Sequence, residues 1–198
     1  MSYAIYKLTY SEGQAYRYHI SDEAGRLCYV AEPTGMSLPS PTRRIEFFDL
    51  DRNLACRLQP PDVPPWHLEK SYEVFVGGET ERPYAVIAER WRWVDVLLLR
   101  LPHYEVQLGE RRYVAWGSRY GERFYEILRP CEEGEADEEQ TREGLGETQP
   151  GDEGTKVGQI RRPTAGPSYV VEADVSPLRQ APLVLAALVI LIDMQLYV

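Results

Sequence analysis

Through most of the chain, apolar and polar residues alternate with the two-residue period of a half-buried strand. Tyr16, Tyr18 and Ile20 are separated by Arg17 and His19. After the turn-forming run Asp22-Glu23-Ala24-Gly25, Leu27, Tyr29 and Ala31 lie on one face of a returning strand. In a second hairpin, Ile45 to Phe48 leads into Asp49-Leu50-Asp51-Arg52-Asn53, and Leu54 to Leu58 returns. Pro60, Pro61, Pro64 and Pro65 then exclude regular structure until Trp66. A third hairpin runs from Tyr72 to Val76, turns at Gly77-Gly78 and returns from Tyr84 to Ala88. Further strands are predicted from Val94 to Leu99, Tyr104 to Leu108, Tyr113 to Trp116, Phe124 to Leu128, Val157 to Ile160 and Tyr169 to Ala173. About eleven strands joined as short hairpins predict a mainly-β chain, folded as a sandwich or a closed barrel.

Two segments break the alternation. The stretch from Glu132 to Thr155 is dense in Glu and Gly and nearly devoid of apolar residues. It cannot bury enough surface to offset its ordering entropy, so a disordered acidic loop is expected inside one domain spanning residues 1–198. The second segment is Ala181 to Ile192, which has no polar side chain. It predicts a helix over residues 177–198, capped by Ser176 with Pro177 at the first helical position, or starting after Gln180 with Pro182 near its first position. A helix apolar on every side is surrounded by protein or by lipid. Its apolar run falls short of the roughly 20 residues of a membrane span. Extension to Val198 brings in Asp193 and Gln195, so a buried helix is expected, with a tail anchor as the alternative. Asp193, near the end of such a helix, is expected as a structural latch or a solvated end group.

Charge changes the picture in one respect. The net charge of −9 is formal and uneven. Ten acids and one base, Arg142, lie between Cys131 and Gly154, so that segment alone carries −9 and the remainder is neutral. A neutral domain offers no basic face, and no nucleic-acid partner is expected. Of the 22 bases, 19 are arginine, so any anion would be met by a guanidinium. Cys28, Cys56 and Cys131 form neither a disulfide framework nor a zinc motif. With no secretory or lipidation signal, they fit a cytoplasmic chain.

The segments Val157-Gly158-Gln159-Ile160-Arg161-Arg162, Gly166-Pro167-Ser168-Tyr169-Val170-Val171-Glu172 and Leu183 to Asp193, with the hairpins at Tyr16 to Ala31 and Ile45 to Leu58, resemble the tubby C-terminal-like superfamily, within it the LURP-one-related and phospholipid-scramblase branch. The resemblance covers about nine-tenths of the chain. It implies an antiparallel closed β-barrel of about twelve strands around a buried hydrophobic C-terminal helix, and a non-enzymatic role at anionic lipid or phosphoinositide head groups. A barrel of that size has a lumen that must be filled, and a helix about 10 Å across fills it. The scramblase branch's calcium-binding stretch and palmitoylated cysteine cluster have no counterpart here, so lipid scrambling is not implied. In Asp49-Leu50-Asp51-Arg52-Asn53 the position for a calcium loop's glycine is Leu54, and a hairpin turn is expected instead.

No catalytic constellation is present. His19, His67 and His103 are isolated, and His19 alternates outward on its strand. No cofactor or metal is expected. The candidate anion-binding residues are the arginine pairs Arg43 and Arg44, Arg90 and Arg92, Arg111 and Arg112, and Arg161 and Arg162, all at strand ends or turns. Arg90 and Arg92 would share one strand face and Trp91 and Trp93 the other, a combination suited to a membrane interface. The expected partner is an anionic membrane surface met peripherally, or a protein for which the chain acts as a scaffold.

Overall fold

The structure, a computed structural model, describes residues 1–9, 15–34, 44–60, 70–77, 82–91, 101–117, 125–130 and 154–196. Twelve strands follow one another: β1 (Ser2–Thr9), β2 (Ala15–Ser21), β3 (Leu27–Thr34), β4 (Arg44–Phe48), β5 (Leu54–Gln59), β6 (Lys70–Val76), β7 (Ala85–Arg90), β8 (His103–Leu108), β9 (Arg111–Gly117), β10 (Tyr125–Pro130), β11 (Gly154–Arg161) and β12 (Tyr169–Ala173). Two helices close the chain, α1 (Ser176–Arg179) and α2 (Pro182–Leu196). Each strand pairs antiparallel with its neighbours in sequence, and β1 pairs with β12, so the sheet is a closed barrel. Closure leaves none of the described strands with an edge for another chain to extend.

Alternation decides what faces inward. Ile5, Tyr18, Phe47, Leu58, Ile87, Tyr113 and Val171 are completely or almost completely buried, while their strand neighbours are partly or fully exposed. The lumen is filled by α2, whose residues from Leu183 to Asp193 are all buried. The apolar run therefore serves as a core that twelve strands wrap. Among the described residues, no helix is long and apolar enough to cross a membrane. Gly158 in β11 is dictated by a close approach, since a Cβ there would lie 2.5 Å from the carbonyl oxygen of Glu172 in β12.

Several expectations shift in detail. β1 is a strand that the hairpin signals do not announce, although Tyr3 and Ile5 alternate inward as strand residues should. The segment from Val94 to Leu99 lies outside the described residues, as do Arg43, His67, Arg92, Trp93 and Cys131. The acidic segment is shorter than read. Gly154 and Thr155 belong to β11, because ladder pairing with Pro130 and Arg129 holds them, and residues 131–153 lie outside the described residues. The C-terminal helix is interrupted. Pro182 has no N–H to continue α1, whose end is closed instead by Ala181 donating to the carbonyl of Leu178 at 3.1 Å. Ser176 is not the cap. The first helical bond runs from Arg179 N to Val175 O at 3.0 Å, which makes Val175 the cap residue and puts Ser176 inside the helix.

The alternating strand directions give the barrel two unlike ends. At one, β2, β4, β6, β8, β10 and β12 finish, and α1 follows β12; this is the turn end. At the other, α2 finishes; this is the helix end. Turn chemistry is explicit at the first. The β8–β9 turn is two residues, Gly109-Glu110, with Gly109 at φ 59, the left-handed first position that type II′ hairpins reserve for glycine. In the β4–β5 turn, Asn53 donates from its backbone N to Asp49 Oδ1 at 2.8 Å and from its side-chain amide to Asp49 Oδ2 at 3.1 Å. The Asp49 carboxylate thus braces its own hairpin.

Candidate anion-binding pocket

Strand geometry separates the arginine pairs. Adjacent strand residues point to opposite faces, so a doublet cannot converge on one ligand. Arg112 turns to the outer wall and donates to Glu105 Oε1 at 2.8 Å, while Arg111 sits at the turn end. Arg90 reaches the same Glu105, with Nε 3.5 Å from Oε2. Arg90 and Arg112, from different pairs, are therefore brought together with a carboxylate between them. Arg161 is paired with Glu172, which also accepts from Gln159. These donors hold the Glu172 carboxyl below its usual range. Arg162 lies over the ring of Tyr169, 5.9 Å from its centroid. Arg44 is exposed at the start of β4. Trp91 is half exposed and donates its indole N–H to Glu89 Oε1 at 2.7 Å.

Most other arginines of the wall are also committed to acids: Arg17 and Arg52 to Glu32, Arg26 to Asp22, and Arg57 to Glu46. Four described arginines, Arg44, Arg82, Arg111 and Arg129, engage no carboxylate, carbonyl or ring. Two of these, Arg82 and Arg111, line one pocket at the turn end, of about 560 Å³. The β6–β7 connection supplies Arg82 and Tyr84, the β8–β9 turn supplies Glu110 and Arg111, and α1 with its cap supplies Pro177 and Gln180. The short type II′ turn holds Arg111 at the rim, and the break before Pro182 holds α1 across the barrel mouth. Arg111 belongs to the candidate set read from the sequence. Arg82 does not, because it stands alone in the sequence; its signal is its place in the β6–β7 connection beside Pro83 and Tyr84.

The pocket presents guanidinium donors beside an aromatic ring. Two guanidiniums without partners among the described residues are each able to meet a phosphate or carboxylate with two parallel N–H donors. The ring of Tyr84, 45% exposed, and the apolar flank of Pro177 give an attached group something to lie against.

The helix end is built differently. Asp193, on the last turn of α2, is 1% exposed. Tyr169 donates to its Oδ1 at 2.6 Å and Tyr18 to its Oδ2 at 2.8 Å, and Lys7 Nζ lies 2.8 Å from Oδ2. Three neighbouring strands present these groups: β1 lies between β12 and β2, and Lys7 is the ladder partner of Tyr18. A carboxylate near a helix C-terminus is disfavoured by the helix dipole, and α2 has no base of its own in its last turn. Lys7 supplies that charge from the barrel wall. Its alternation with Tyr3 and Ile5 was readable, but the pattern alone does not reveal that an inward lysine meets Asp193.

Glu89 is a second buried carboxylate at this end, with Lys70 Nζ 3.6 Å from its Oε1. Burial, reinforced by the Glu89 charge, pushes the Tyr125 hydroxyl above its ordinary range, and that hydroxyl donates to the carbonyl of Pro102 at 3.2 Å. His103 is buried and stacked on Trp116 with ring centroids 4.2 Å apart, and His19 is half-buried on the outer face of β2. Among the described residues, no three His, Cys, Asp or Glu side chains are grouped to hold a metal ion. No family model, curated protein or solved structure matches this chain.

Proposed function

We propose that the chain is a non-enzymatic binding module of tubby-like type, whose turn-end pocket takes the anionic group of a lipid or phosphoinositide head group. One observation carries this reading: on a wall where most arginines are committed to acids, Arg82 and Arg111 are uncommitted and line the same pocket. A neutral domain does not attract anions over a distance, so the reading rests on close contact at a formed site rather than on a diffuse field. The twelve-stranded closed barrel around an apolar helix is the architecture that the tubby-like resemblance implies, and it supports the assignment at the level of fold only.

The test is flotation of the full chain, purified without detergent, with neutral vesicles and with vesicles containing anionic lipid or phosphoinositide, at low and physiological salt. Binding that needs anionic head groups and weakens with salt is expected. The double substitution Arg82→Gln, Arg111→Gln should weaken it about 10- to 100-fold, the scale of losing charge-assisted hydrogen bonds. Arg90→Gln with Arg112→Gln should leave it unchanged, since both partner Glu105. Dependence on Arg90 and Arg112, or absence of both flotation and binding of a soluble phosphate, would overturn the assignment and leave the interaction scaffold as the working reading.

A further inference from the structure

Glu110 is the anomaly of the pocket. A site meant for an anion alone gains nothing from a carboxylate on its rim, and an approaching phosphate is repelled by it. Glu110 is exposed, follows Gly109 in the two-residue turn and precedes Arg111, yet it pairs with neither pocket arginine. Arg112, the next base along the chain, is committed to Glu105 on the outer wall. Among the described residues, the rim therefore holds two uncommitted cations and one uncommitted anion. Tyr84, on the same pocket, offers the second feature a cation uses, an exposed aromatic face.

From this charge pattern we infer that the occupant is zwitterionic: a phosphate-bearing group whose anion meets Arg82 and Arg111 and whose ammonium meets Glu110 and Tyr84. The inference rests on the pocket assignment above and narrows it from anionic head groups in general to aminoalkyl phosphates and their esters. Pocket size permits this, since about 560 Å³ exceeds what a bare phosphate needs and lies within the range of small-molecule sites.

The experiment compares three soluble probes by calorimetry or chemical-shift titration of the full chain: inorganic phosphate, ethyl phosphate and O-phosphoethanolamine, which differs from ethyl phosphate by its amine. O-Phosphoethanolamine should bind about two- to fivefold more tightly than ethyl phosphate, the factor expected of one partly exposed ion pair. Glu110→Gln should abolish that preference while leaving ethyl phosphate binding equal or stronger. Glu110 is a solvated turn residue, so the variant should keep the melting temperature of the parent. Ethyl phosphate binding as well as its amine analogue, or Glu110→Gln strengthening both equally, would overturn the inference while leaving the pocket assignment intact. If no probe binds, or if binding survives Arg82→Gln with Arg111→Gln, the pocket assignment falls and the inference with it. Parallel flotation with phosphatidylserine, an aminoalkyl phosphate ester of net negative charge, and with phosphatidic acid identifies the source. Preference for phosphatidylserine points to a lipid, soluble binding without flotation points to a free aminoalkyl phosphate, and either supports the zwitterionic class. Preference for phosphatidic acid contradicts it.

Discussion

The two ends of the barrel use charge in opposite ways. At the helix end, Asp193 and Glu89 are buried, and Lys7, Tyr18, Tyr169, Lys70 and Trp91 are drawn in around them. At the turn end, Arg82, Glu110 and Arg111 stand around an open pocket without partners among the described residues. The difference follows from desolvation. A charge taken out of water needs a partner at once, and the sequence separation between Lys7 and Asp193 shows how far the fold goes to supply one. A charge left in water needs none, and stays available to a ligand. The helix end fixes the position of α2, and the turn end leaves groups free to recognise.

This contrast can be broken most forcefully at Asp193. Asp193→Ala removes the buried carboxylate that Lys7, Tyr18 and Tyr169 share, and should cost about 3–5 kcal/mol in urea unfolding. Arg111→Gln, at the opposite end, should stay within about 0.5 kcal/mol. Replacing Lys7 and Asp193 together by apolar residues should recover part of the loss, since no charge is then left buried alone. A cost below about 1 kcal/mol for Asp193→Ala would mean that the latch does not hold the helix.

Acid sharpens the comparison next. Asp22 is held below its ordinary range first by the hydrogen bond from the Arg26 side chain, Asp49 by that from Asn53, and Glu172 by that from Gln159. A carboxyl whose folded pKa is depressed contributes stability that is complete above its unfolded value and lost as pH falls through the folded one. Stability should therefore be level above about pH 5 and decline below about pH 4. Glu172→Gln should flatten that decline, as read by denaturant midpoints across the range.

Smaller effects are expected elsewhere. Replacing residues 131–153 by a two-residue turn should change stability by no more than about 0.5 kcal/mol, because ladder pairing continues to Pro130 and Gly154. Unfolding of that variant would show that the segment is part of the domain's structure. The mildest probe is thiol chemistry. Burial pushes the Cys56 thiol up to about 12, so it should resist alkylation at pH 8 in the native chain and react once unfolded. Cys28, half-buried on the wall, should react before Cys56.

Much of the architecture was legible because it rests on local rules. Alternation placed most of the strands, Asp22-Glu23-Ala24-Gly25 and Gly77 placed turns, and the unbroken apolar run from Ala181 placed the helix inside. The pocket was not legible for the same reason that the arginine doublets misled. Neighbours on a strand face apart, whereas Arg82 and Arg111 converge from two connections that only the barrel brings side by side. Likewise Asp193 stood out in the sequence, but its cation did not, because nothing local marks Lys7 as its partner.

Closure of the sheet through β1 and β12 also sets a schedule. The first strand cannot complete its ladder until Tyr169 to Ala173 has been made, which at ribosomal speeds of about 5–20 residues per second is a wait of roughly 8–30 s. During that interval β1 carries an unsatisfied edge, and the lumen has no helix to fill it. Nascent chains should therefore depend on a holding chaperone until release, and the rate-limiting event in refolding should be the meeting of the two ends of the chain around α2.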